Sequence, residues 1–411
     1  MIYEFLKGQY EDSVIKRLEE DLTLPPNRAI VFDDKKIDKE YLKSLFPSLK
    51  EHPFCTNALI DEESKLSLGK TILHDIGAFY ILDPSALLVP YFLDAQPDDL
   101  ILDMCAAPGG KSIATSIKMQ GKGLIVSNDA SLARTLEMMK NVERLGISNI
   151  IITCDDLTKE QTKNIQFDKI ILDAPCSGTG MFRKEKKMQE DFTINKVKRL
   201  LPLQDALLDK AYQLLKPGGT IIYSTCSFDY EEDEDRVLTF LNKHDDMHLV
   251  MIDEENKFYH HENMKEAIHI FYEHHLGEGH FIAKLVKDGI LKNEKPAKLV
   301  SFKMNDNIYL TDERIELVQR YFHIVRPNVL KEERINKVYR LAHHYAKTSD
   351  ELIRIPLSLE KTKQYLEGQT FPCLNIDGDI VFTYQNIPLG LAKIKKGKMQ
   401  NLYPKGLRKK Y

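Results

Sequence analysis

Five short apolar runs, separated by helical stretches, constrain the fold of this chain more than any other feature. They read, in chain order, DLILDMC (99–105), GLIVSND (123–129), NIIITCD (149–155), FDKIILDAP (167–175) and GTIIYSTCS (219–227). Near-continuous Ile, Leu and Val strands that alternate with helices are typical of a parallel sheet covered on both faces. The sequence therefore predicts an α/β fold, with HFIAKLV (280–286) as its final strand.

Two helices between these strands are marked by their patterns. In the first, apolar residues recur every three or four positions and Gly146 follows as a C-terminal stop. The apolar residues are Leu132, Leu136, Met139, Val142 and Leu145. The second helix runs through LPLQDALLDKAYQLL (201–215) and is closed by KPGG (216–219).

The length of 411 residues exceeds what one hydrophobic core usually serves, so several domains are expected. Four domains are predicted: a small N-terminal α+β domain (1–75), a central α/β domain (76–290), an intermediate domain (291–355) and a β-rich C-terminal domain (356–411). A helix is predicted at 11–22 in the first domain and another at 333–347 in the third. In the last, alternating strands at 378–384 and 388–399 are accompanied by a turn signal at Lys396-Gly397.

Composition excludes several classes of protein. The opening residues are charged and no apolar run of about 18 residues occurs, which predicts a cytoplasmic chain that does not contact a membrane. The six cysteines form no C-x-x-C pair, so we expect free thiols and no metal site. Net charge is only −4, but residues 391–411 hold eight Lys or Arg and no acid. This basic segment is either a phosphate-binding surface or a solvated terminus.

The notable polar residues all follow strands of the predicted sheet. They are the loop CAAPGGKS (105–112), Asp129, Asp155 and Asp156, Asp173 with Cys176, and Cys226. Ligands of open parallel sheets bind outside the carboxyl ends of the strands. Each residue alone could be structural, as a tight turn, a helix cap or a solvated turn. Together they favour a ligand site.

The glycine loop does not match a phosphate-binding loop, although it ends in Gly-Lys-Ser. Cys105 stands where that pattern requires glycine, and Pro108 removes a backbone donor. The small residues instead allow close approach of an uncharged or zwitterionic ligand. A carboxylate after the next strand, such as Asp129, can accept both hydroxyls of a ribose.

Two of the cysteines differ from the others. Cys105 and Cys154 fit the usual pattern of inert, buried thiols. Cys176 and Cys226 each follow a strand in a loop of small residues, PCSGTG and TCS, which leaves the sulfur room to meet a ligand. Nucleophilic use would require the thiolate, so the site must favour the anion or a partner must take the proton.

Several of these segments resemble the Nol/Nop/Sun-type RNA cytosine carbon-5 methyltransferases. The segments are LDMCAAPGGK (102–111), FDKIILDAPCSGTG (167–180), KPGG (216–219) and YSTCS (223–227), within a resemblance that spans about 75–290. The C-terminal YLEGQT (365–370) and PLGLAKIKKGKMQNLYPKGLRK (388–409) resemble the PUA-like RNA-binding tail of the RsmF branch, which methylates small-subunit ribosomal RNA.

The resemblance implies a Rossmann-like methyltransferase sheet that uses S-adenosylmethionine, an N-terminal RNA-binding α+β domain and a C-terminal PUA-like domain. It implies a monomeric enzyme that forms 5-methylcytosine in 16S ribosomal RNA within the small subunit and does not act on DNA. The alternatives are a transfer-RNA cytosine methyltransferase and, from another class, a non-catalytic ribosome-assembly factor.

The resemblance also implies roles for residues. Cys226 matches the cysteine that attacks carbon 6 of cytosine, and Cys176 matches the one that assists release of the product. The cofactor residues are Cys105, Ala106, Ala107, Pro108, Gly109, Gly110 and Lys111 in the loop, Asp129 at the ribose, Asp156 in preference to Asp155 near adenine, and Asp173 beside the methyl donor and the target base. Asp173 suits an acid near ring nitrogen 3 if its surroundings raise its pKa.

The chain departs from the family pattern in two places. Val31 and Asp33 stand where the N-terminal domain usually has Arg and Asn. The segment FYEHHLGEGHF (271–281) lacks the usual aromatic-Pro-His approach to GEGHF. Neither departure falls on a predicted catalytic residue.

Overall fold

A computed structural model describes residues 2–159, 165–252, 257–272, 276–291, 296–373 and 376–411. Residues 273–275 of the atypical segment FYEHHLGEGHF lie outside these ranges. Within the described ranges, every helix is too short or too polar to cross a bilayer.

A four-stranded antiparallel sheet and three helices form the N-terminal region. They are α1 (Asp12–Asp21), β1 (Arg28–Val31), α2 (Lys39–Leu45), β2 (Lys50–Glu51), β3 (Ala58–Asp61), α3 (Ile72–Asp75) and β4 (Tyr80–Leu82), with strand order β2-β3-β1-β4. Helix α1 confirms the predicted helix at 11–22, and its Val14, Ile15 and Leu18 pack in one cluster with Phe182 and Phe228 of the central region. The start of the chain therefore supports the central region directly.

The central region is built around one large mixed sheet. Its elements are α4 (Leu88–Leu93), β5 (Leu100–Asp103), α5 (Gly110–Lys118), β6 (Leu124–Asn128), α6 (Leu132–Leu145), β7 (Ile150–Thr153), β8 (Phe167–Asp173), α7 (Lys186–Glu190), α8 (Ile194–Leu214), β9 (Leu215–Thr225), α9 (Glu234–Leu241), β10 (Met247–Val250), β11 (Tyr259–His261), β12 (Met264–Ile270) and β13 (His280–Lys287). The five predicted strands are confirmed as β5 to β9, and they pair in parallel in the order β9-β8-β5-β6-β7. The antiparallel β13 adds to β9 and confirms the strand predicted at 280–286. It is not the final strand of the sheet, because residues 324–326 of the intermediate region join the opposite edge.

Two details of the predicted helices are corrected. Helix α6 ends at Gly146 in the left-handed conformation, as predicted, but Leu132 and Leu136 are exposed and Met138 is buried in their place. Helix α8 begins at Ile194 rather than near Leu201, so Pro202 lies inside it.

The intermediate region contributes to the central sheet. Its elements are β14 (Leu299–Met304), β15 (Asn307–Asp312), α10 (Ile315–Tyr321), β16 (Ile324–Arg326), β17 (Val329–Ile335), β18 (Val338–Leu341) and α11 (His343–Thr348). Strand β16 pairs with β7 and extends the sheet to ten strands. The helix predicted at 333–347 is wrong over its first part, because β17 and β18 form a hairpin there. Asn336 and Lys337 have positive φ, which suits a tight hairpin turn.

The C-terminal region is a small sheet with one helix. It consists of β19 (Ile353–Pro356), α12 (Leu359–Leu366), β20 (Gly378–Tyr384), β21 (Ile387–Lys395) and β22 (Lys398–Asn401), in sheet order β19-β20-β21-β22. The predicted turn at Lys396-Gly397 is confirmed, because both residues have positive φ between β21 and β22. Tyr365 and Phe382 share one hydrophobic cluster with Ile30 and Phe32 of the N-terminal sheet. The first and last sheets of the chain therefore bury a common core.

Candidate active site

The direction of the chain across the sheet reverses between β5 and β8. Strand β5 lies between β6, which follows it in sequence, and β8, which comes later. At such a switch point the loops at the carboxyl ends of the two strands diverge and leave a crevice that binds ligands. The loops after β5, β6, β8 and β9 carry most of the predicted site residues.

The glycine loop fits a closely bound ligand. Gly109 has φ of +105°, and a Cβ there would lie 3.0 Å from Cγ of Met138. A Cβ on Gly110 would lie 3.2 Å from Cε1 of Tyr80. Glycine at both positions therefore lets the backbone after β5 pack closely against Met138 and Tyr80.

Asp129 offers a buried acceptor at the end of β6. Only 3% of its surface is exposed, and its Oδ2 has no hydrogen-bond partner. The Arg134 guanidinium lies 3.2 Å from that oxygen outside hydrogen-bond geometry, and it donates to the carbonyl of Ala107 at 2.6 Å. A buried carboxylate oxygen without a donor suits a ligand hydroxyl. Arg134 links this carboxylate to the glycine loop.

Asp155 and Asp156 are placed differently after β7. Oδ2 of Asp155 accepts the backbone N–H of His323 at 2.9 Å, which ties it to the intermediate region. Asp156 is exposed and its Oδ1 accepts the hydroxyl of Thr158 at 2.6 Å. The preference for Asp156 as a cofactor residue therefore stays a prediction, with Asp155 already engaged structurally.

Asp173 forms a charged pair with Lys111 at the bottom of the crevice. The Lys111 Nζ is 2.7 Å from Oδ2 of Asp173, and the Ser224 hydroxyl donates to Oδ1 at 2.9 Å. Burial alone would raise the pKa of Asp173, but Lys111 and His280, whose Nε2 is 3.7 Å away, hold that pKa well below its usual range. A role for Asp173 as an acid requires a raised pKa. That expectation is wrong for the free protein, in which Asp173 is ionised.

Lys111 is the cationic centre of the site. Burial opposes its charge, but Asp173 raises the pKa of Lys111, and Cys226 and Asp103 contribute in the same direction. Lys111 therefore remains an ammonium ion paired with Asp173. Asp103, at the end of β5, is itself buried, and burial raises its pKa to about 7.

The two predicted catalytic sulfurs are in contact. Sγ of Cys176 lies 3.1 Å from Sγ of Cys226, and the backbone N–H of Cys226 donates to Sγ of Cys176 at 3.3 Å. The hydrogen bond with Cys226, burial and nearby carboxylates raise the pKa of Cys176 well above its usual range. Cys176 therefore keeps its proton in the free protein. All six cysteines are free thiols.

Cys105 and Cys154 take no part in this contact. Burial raises the pKa of Cys105 far above its usual range, and it also raises the pKa of Cys154. Both thiols are therefore protonated, as expected for inert cysteines. Cys105 belongs to the candidate site through its place in the glycine loop.

Glu232 holds the two cysteine loops together. Its carboxylate accepts the backbone N–H of Ser177 at 2.8 Å, the hydroxyl of Ser177, the hydroxyl of Ser227 at 2.7 Å and the amide of Gln204 at 3.1 Å. Ser177 directly follows Cys176, Ser227 directly follows Cys226, and Gln204 lies on α8. One buried carboxylate thus joins the loop after β8, the loop after β9 and a helix.

Sequence reasoning missed Glu232, His280 and Arg134. Each has a partner that is distant in sequence, and a charged or polar residue in a helix, strand or loop gives no local sign of such a partner. The partners are Ser177 for Glu232, Asp173 for His280 and Ala107 for Arg134. Only the carboxylate run EEDED (231–235), directly after the Cys226 loop, could have drawn attention to Glu232.

A second buried polar group lies behind the Cys226 loop. Asp233, Glu234 and His269 are of metal-ligating types and lie close together. Nε2 of His269 is 2.7 Å from Oε1 of Glu234, and the hydroxyl of Thr225 donates to Asp233. Burial and Glu234 raise the pKa of Asp233 well above its usual range.

The fold and the crevice define a methyltransferase that uses S-adenosylmethionine. The family described as 16S rRNA methyltransferase RsmB/F matches residues 90–286, and the methyltransferase RsmF PUA domain matches 353–409. The chain belongs to this RsmB/F family and ends in its PUA domain. The predicted α/β fold class and the predicted cofactor are thereby confirmed.

Individual relatives agree with this assignment. Ribosomal RNA small subunit methyltransferase F of Cronobacter sakazakii is 29% identical over an alignment that covers 93% of this chain and 90% of that protein. A methyltransferase homologue from Pyrococcus horikoshii is 30% identical, with a TM-score of 0.58 over 66% of this chain and 90% of that one. NSun6 from Pyrococcus horikoshii, solved with SFG, is similar in fold, with 23% identity and a TM-score of 0.62 over 70% of this chain and 97% of that one.

The orphaned oxygen of Asp129 generates a first prediction. Asp129→Asn replaces a charged acceptor with a neutral amide, so S-adenosylmethionine should bind more weakly by about 1 to 3 kcal/mol, or about 5- to 150-fold in Kd. Isothermal titration calorimetry measures the change. Glu137→Gln, on the exposed face of helix α6, which follows Asp129 in the chain, should leave Kd unchanged. Equal affinities of Asp129→Asn and wild type would remove Asp129 from the site.

The hydrogen bonds of Glu232 generate a second prediction. In Glu232→Gln, an NH2 group that cannot accept hydrogen bonds replaces one of the two carboxylate oxygens. Each donor left without an acceptor should lower the free energy of unfolding by about 1 to 3 kcal/mol. Urea unfolding measures this loss. Glu231→Gln, at the exposed neighbouring position, should stay within about 0.5 kcal/mol of wild type. A Glu232→Gln protein as stable as wild type would show that the carboxylate does not join the loops.

Proposed function

We propose that this enzyme forms 5-methylcytosine in 16S ribosomal RNA, in the cytoplasm, through a covalent bond between Cys226 and carbon 6 of the target base. The observation that carries the proposal is the pair of sulfurs 3.1 Å apart at the ends of β8 and β9, beside the ionised pair of Lys111 and Asp173. A methyltransferase acting on oxygen or nitrogen would need no thiol, whereas carbon 5 of cytosine is too poor a nucleophile to react unaided.

The residues of the crevice divide between binding and chemistry. The loop 105–111, Asp129 and Asp156 would hold S-adenosylmethionine, which would supply an electrophilic methyl group when bound. Asp173 and Lys111 are placed at the inner end of that loop, next to the sulfurs. This arrangement fits a methyl donor on the β5 side of the crevice and a flipped base on the β9 side.

Cys226 is suited to begin the reaction. Addition of its thiolate to carbon 6 moves electrons into the ring, so that carbon 5 becomes an enamine carbon able to take a methyl group. Attack requires the thiolate, so the proton of Cys226 must pass to a base or to solvent before addition. Cys176 does not compete for the base at this stage because it retains its proton.

The ionised pair suits recognition of cytosine. A carboxylate such as Asp173 accepts hydrogen bonds from an exocyclic amino group, and cytosine carries one at position 4. Lys111, 2.7 Å from Asp173, is then the donor available to ring nitrogen 3, where negative charge develops during addition. Lys111 takes the part of the acid first assigned to Asp173.

Cys176 is suited to the end of the cycle. After methylation the proton on carbon 5 must pass to a base such as solvent water. The electrons of that C–H bond then re-form the double bond between carbons 5 and 6 and expel the sulfur of Cys226. The thiol of Cys176, in hydrogen-bond contact with Cys226, can return a proton to that sulfur as it departs. The two thiols therefore begin and end one covalent cycle.

Recognition of RNA is assigned to the C-terminal region. The hairpin of β21 and β22 exposes Lys393, Lys395, Lys396 and Lys398, and side chains of this charge bind phosphates. The match to the RsmF PUA domain, and relatives named for ribosomal RNA of the small subunit, favour 16S ribosomal RNA over transfer RNA.

The third prediction concerns the substrate. With labelled S-adenosylmethionine, the enzyme should methylate 16S ribosomal RNA, either naked or in small subunits, and mapping should locate the label on carbon 5 of cytosine. Transfer RNA and DNA should remain unlabelled under the same conditions. Label confined to transfer RNA would make the alternative substrate correct, and no label on any RNA would support a non-catalytic role.

The fourth prediction separates the two cysteines. Cys226→Ala should form neither product nor adduct, whereas Cys176→Ala should accumulate protein joined to RNA, because addition proceeds and elimination is slowed. The double variant should lose the adduct, and denaturing gels resolve all three cases. Cys154→Ala serves as the matched control with normal turnover. An adduct in Cys226→Ala and none in Cys176→Ala would reverse the assigned roles.

A further inference from the structure

The two cysteines of the crevice are also placed to react with each other. We infer that Cys176 and Cys226 form a reversible disulfide when the enzyme meets a low-molecular-weight disulfide such as oxidised glutathione, which turns the site off. The inference goes beyond the methylation cycle, in which both sulfurs act as thiols. It makes the pair a site of oxidative modification.

The distance between the sulfurs is the first support. They are 3.1 Å apart, and a disulfide bond is about 2.05 Å long, so closure requires a movement of about 1 Å. Both cysteines are only partly buried and lie in loops, so a small oxidant can approach from the crevice. Among the cysteines of the described residues, Cys176 and Cys226 are the two whose sulfurs contact each other.

The frame around the sulfurs is the second support. Ser177 and Ser227, which follow the two cysteines, are both bound to Glu232. The backbone N–H of Gly180 donates to the carbonyl of Cys226 at 2.9 Å. The two loops are therefore held together before any oxidant arrives, and bond formation needs no rearrangement of the sheet.

The reaction balances as two exchanges. The thiolate of Cys226 attacks one sulfur of the oxidised reagent, forming a mixed disulfide and releasing one thiolate. Cys176, which keeps its proton in the free protein, gives that proton to the released thiolate and attacks Sγ of Cys226. The second reagent thiol leaves. Two protein thiols are oxidised, and one reagent disulfide is reduced to two thiols.

The consequence follows from the roles of the two sulfurs. One bond removes the nucleophile and its partner together, and a reductant restores both. Disulfides in reducing compartments are usually transient and sensing rather than structural. Unlike oxidation of a lone thiol to sulfinic acid, this modification is reversible without damage.

The test is alkylation and mass spectrometry of the full-length protein, which needs no methyltransferase activity. Reduced enzyme is titrated with oxidised glutathione, denatured and treated with N-ethylmaleimide. We expect four of the six cysteines to be alkylated, a linked pair of peptides containing Cys176 and Cys226, and complete alkylation after dithiothreitol. Methyl transfer, measured in parallel, should fall and recover with the same titration.

Single variants sharpen the test. Cys176→Ser should stop at the mixed disulfide on Cys226, and Cys154→Ser should form the linked peptides as wild type does. Six alkylated cysteines after oxidation, or a link between any other pair, would overturn the inference. Linked peptides in a protein that never methylates RNA would keep this inference while the proposed function fails.

Discussion

The arrangement of the site depends on the hydrogen bonds that the buried carboxylate of Glu232 accepts. A charge removed from water is costly unless donors replace the water, and here Ser177, Ser227 and Gln204 do so. Because Ser177 and Ser227 directly follow the two cysteines, satisfying this one carboxylate also fixes the sulfurs. The preorganisation that a covalent mechanism requires is thus an outcome of hydrogen-bond satisfaction in the core.

The site contains both ionised and neutral groups, and the surroundings of each group stabilise one protonation state. Lys111 and Asp173 stay ionised because each compensates the burial of the other. Cys176 stays neutral because a second sulfur, burial and nearby carboxylates all oppose its anion. The site therefore combines a charged pair with a neutral thiol that contacts Cys226.

Features set by the local sequence could be predicted, whereas features that depend on contacts across the fold could not. Apolar runs identified the five parallel strands of the central sheet and where their carboxyl ends lie, because strands covered on both faces are mostly apolar. The helix expected at 333–347 failed over 333–341 because its apolar spacing was compatible with a hairpin, which the turn at Asn336 and Lys337 decided. Pair electrostatics, such as the effect of Lys111 on Asp173, depends on distances across the fold and could not be obtained from spacing.

The core shared by the N-terminal and C-terminal sheets has a consequence for synthesis of the protein. Ile30 and Phe32 leave the ribosome early, while Tyr365 and Phe382, which belong to the same cluster, leave it near the end. The apolar face of the N-terminal sheet that carries Ile30 therefore stays exposed to water until nearly the whole chain has been synthesised. A nascent enzyme of this kind depends on protection of that apolar face for most of its translation, and a prematurely terminated chain would keep the face uncovered and be prone to aggregate.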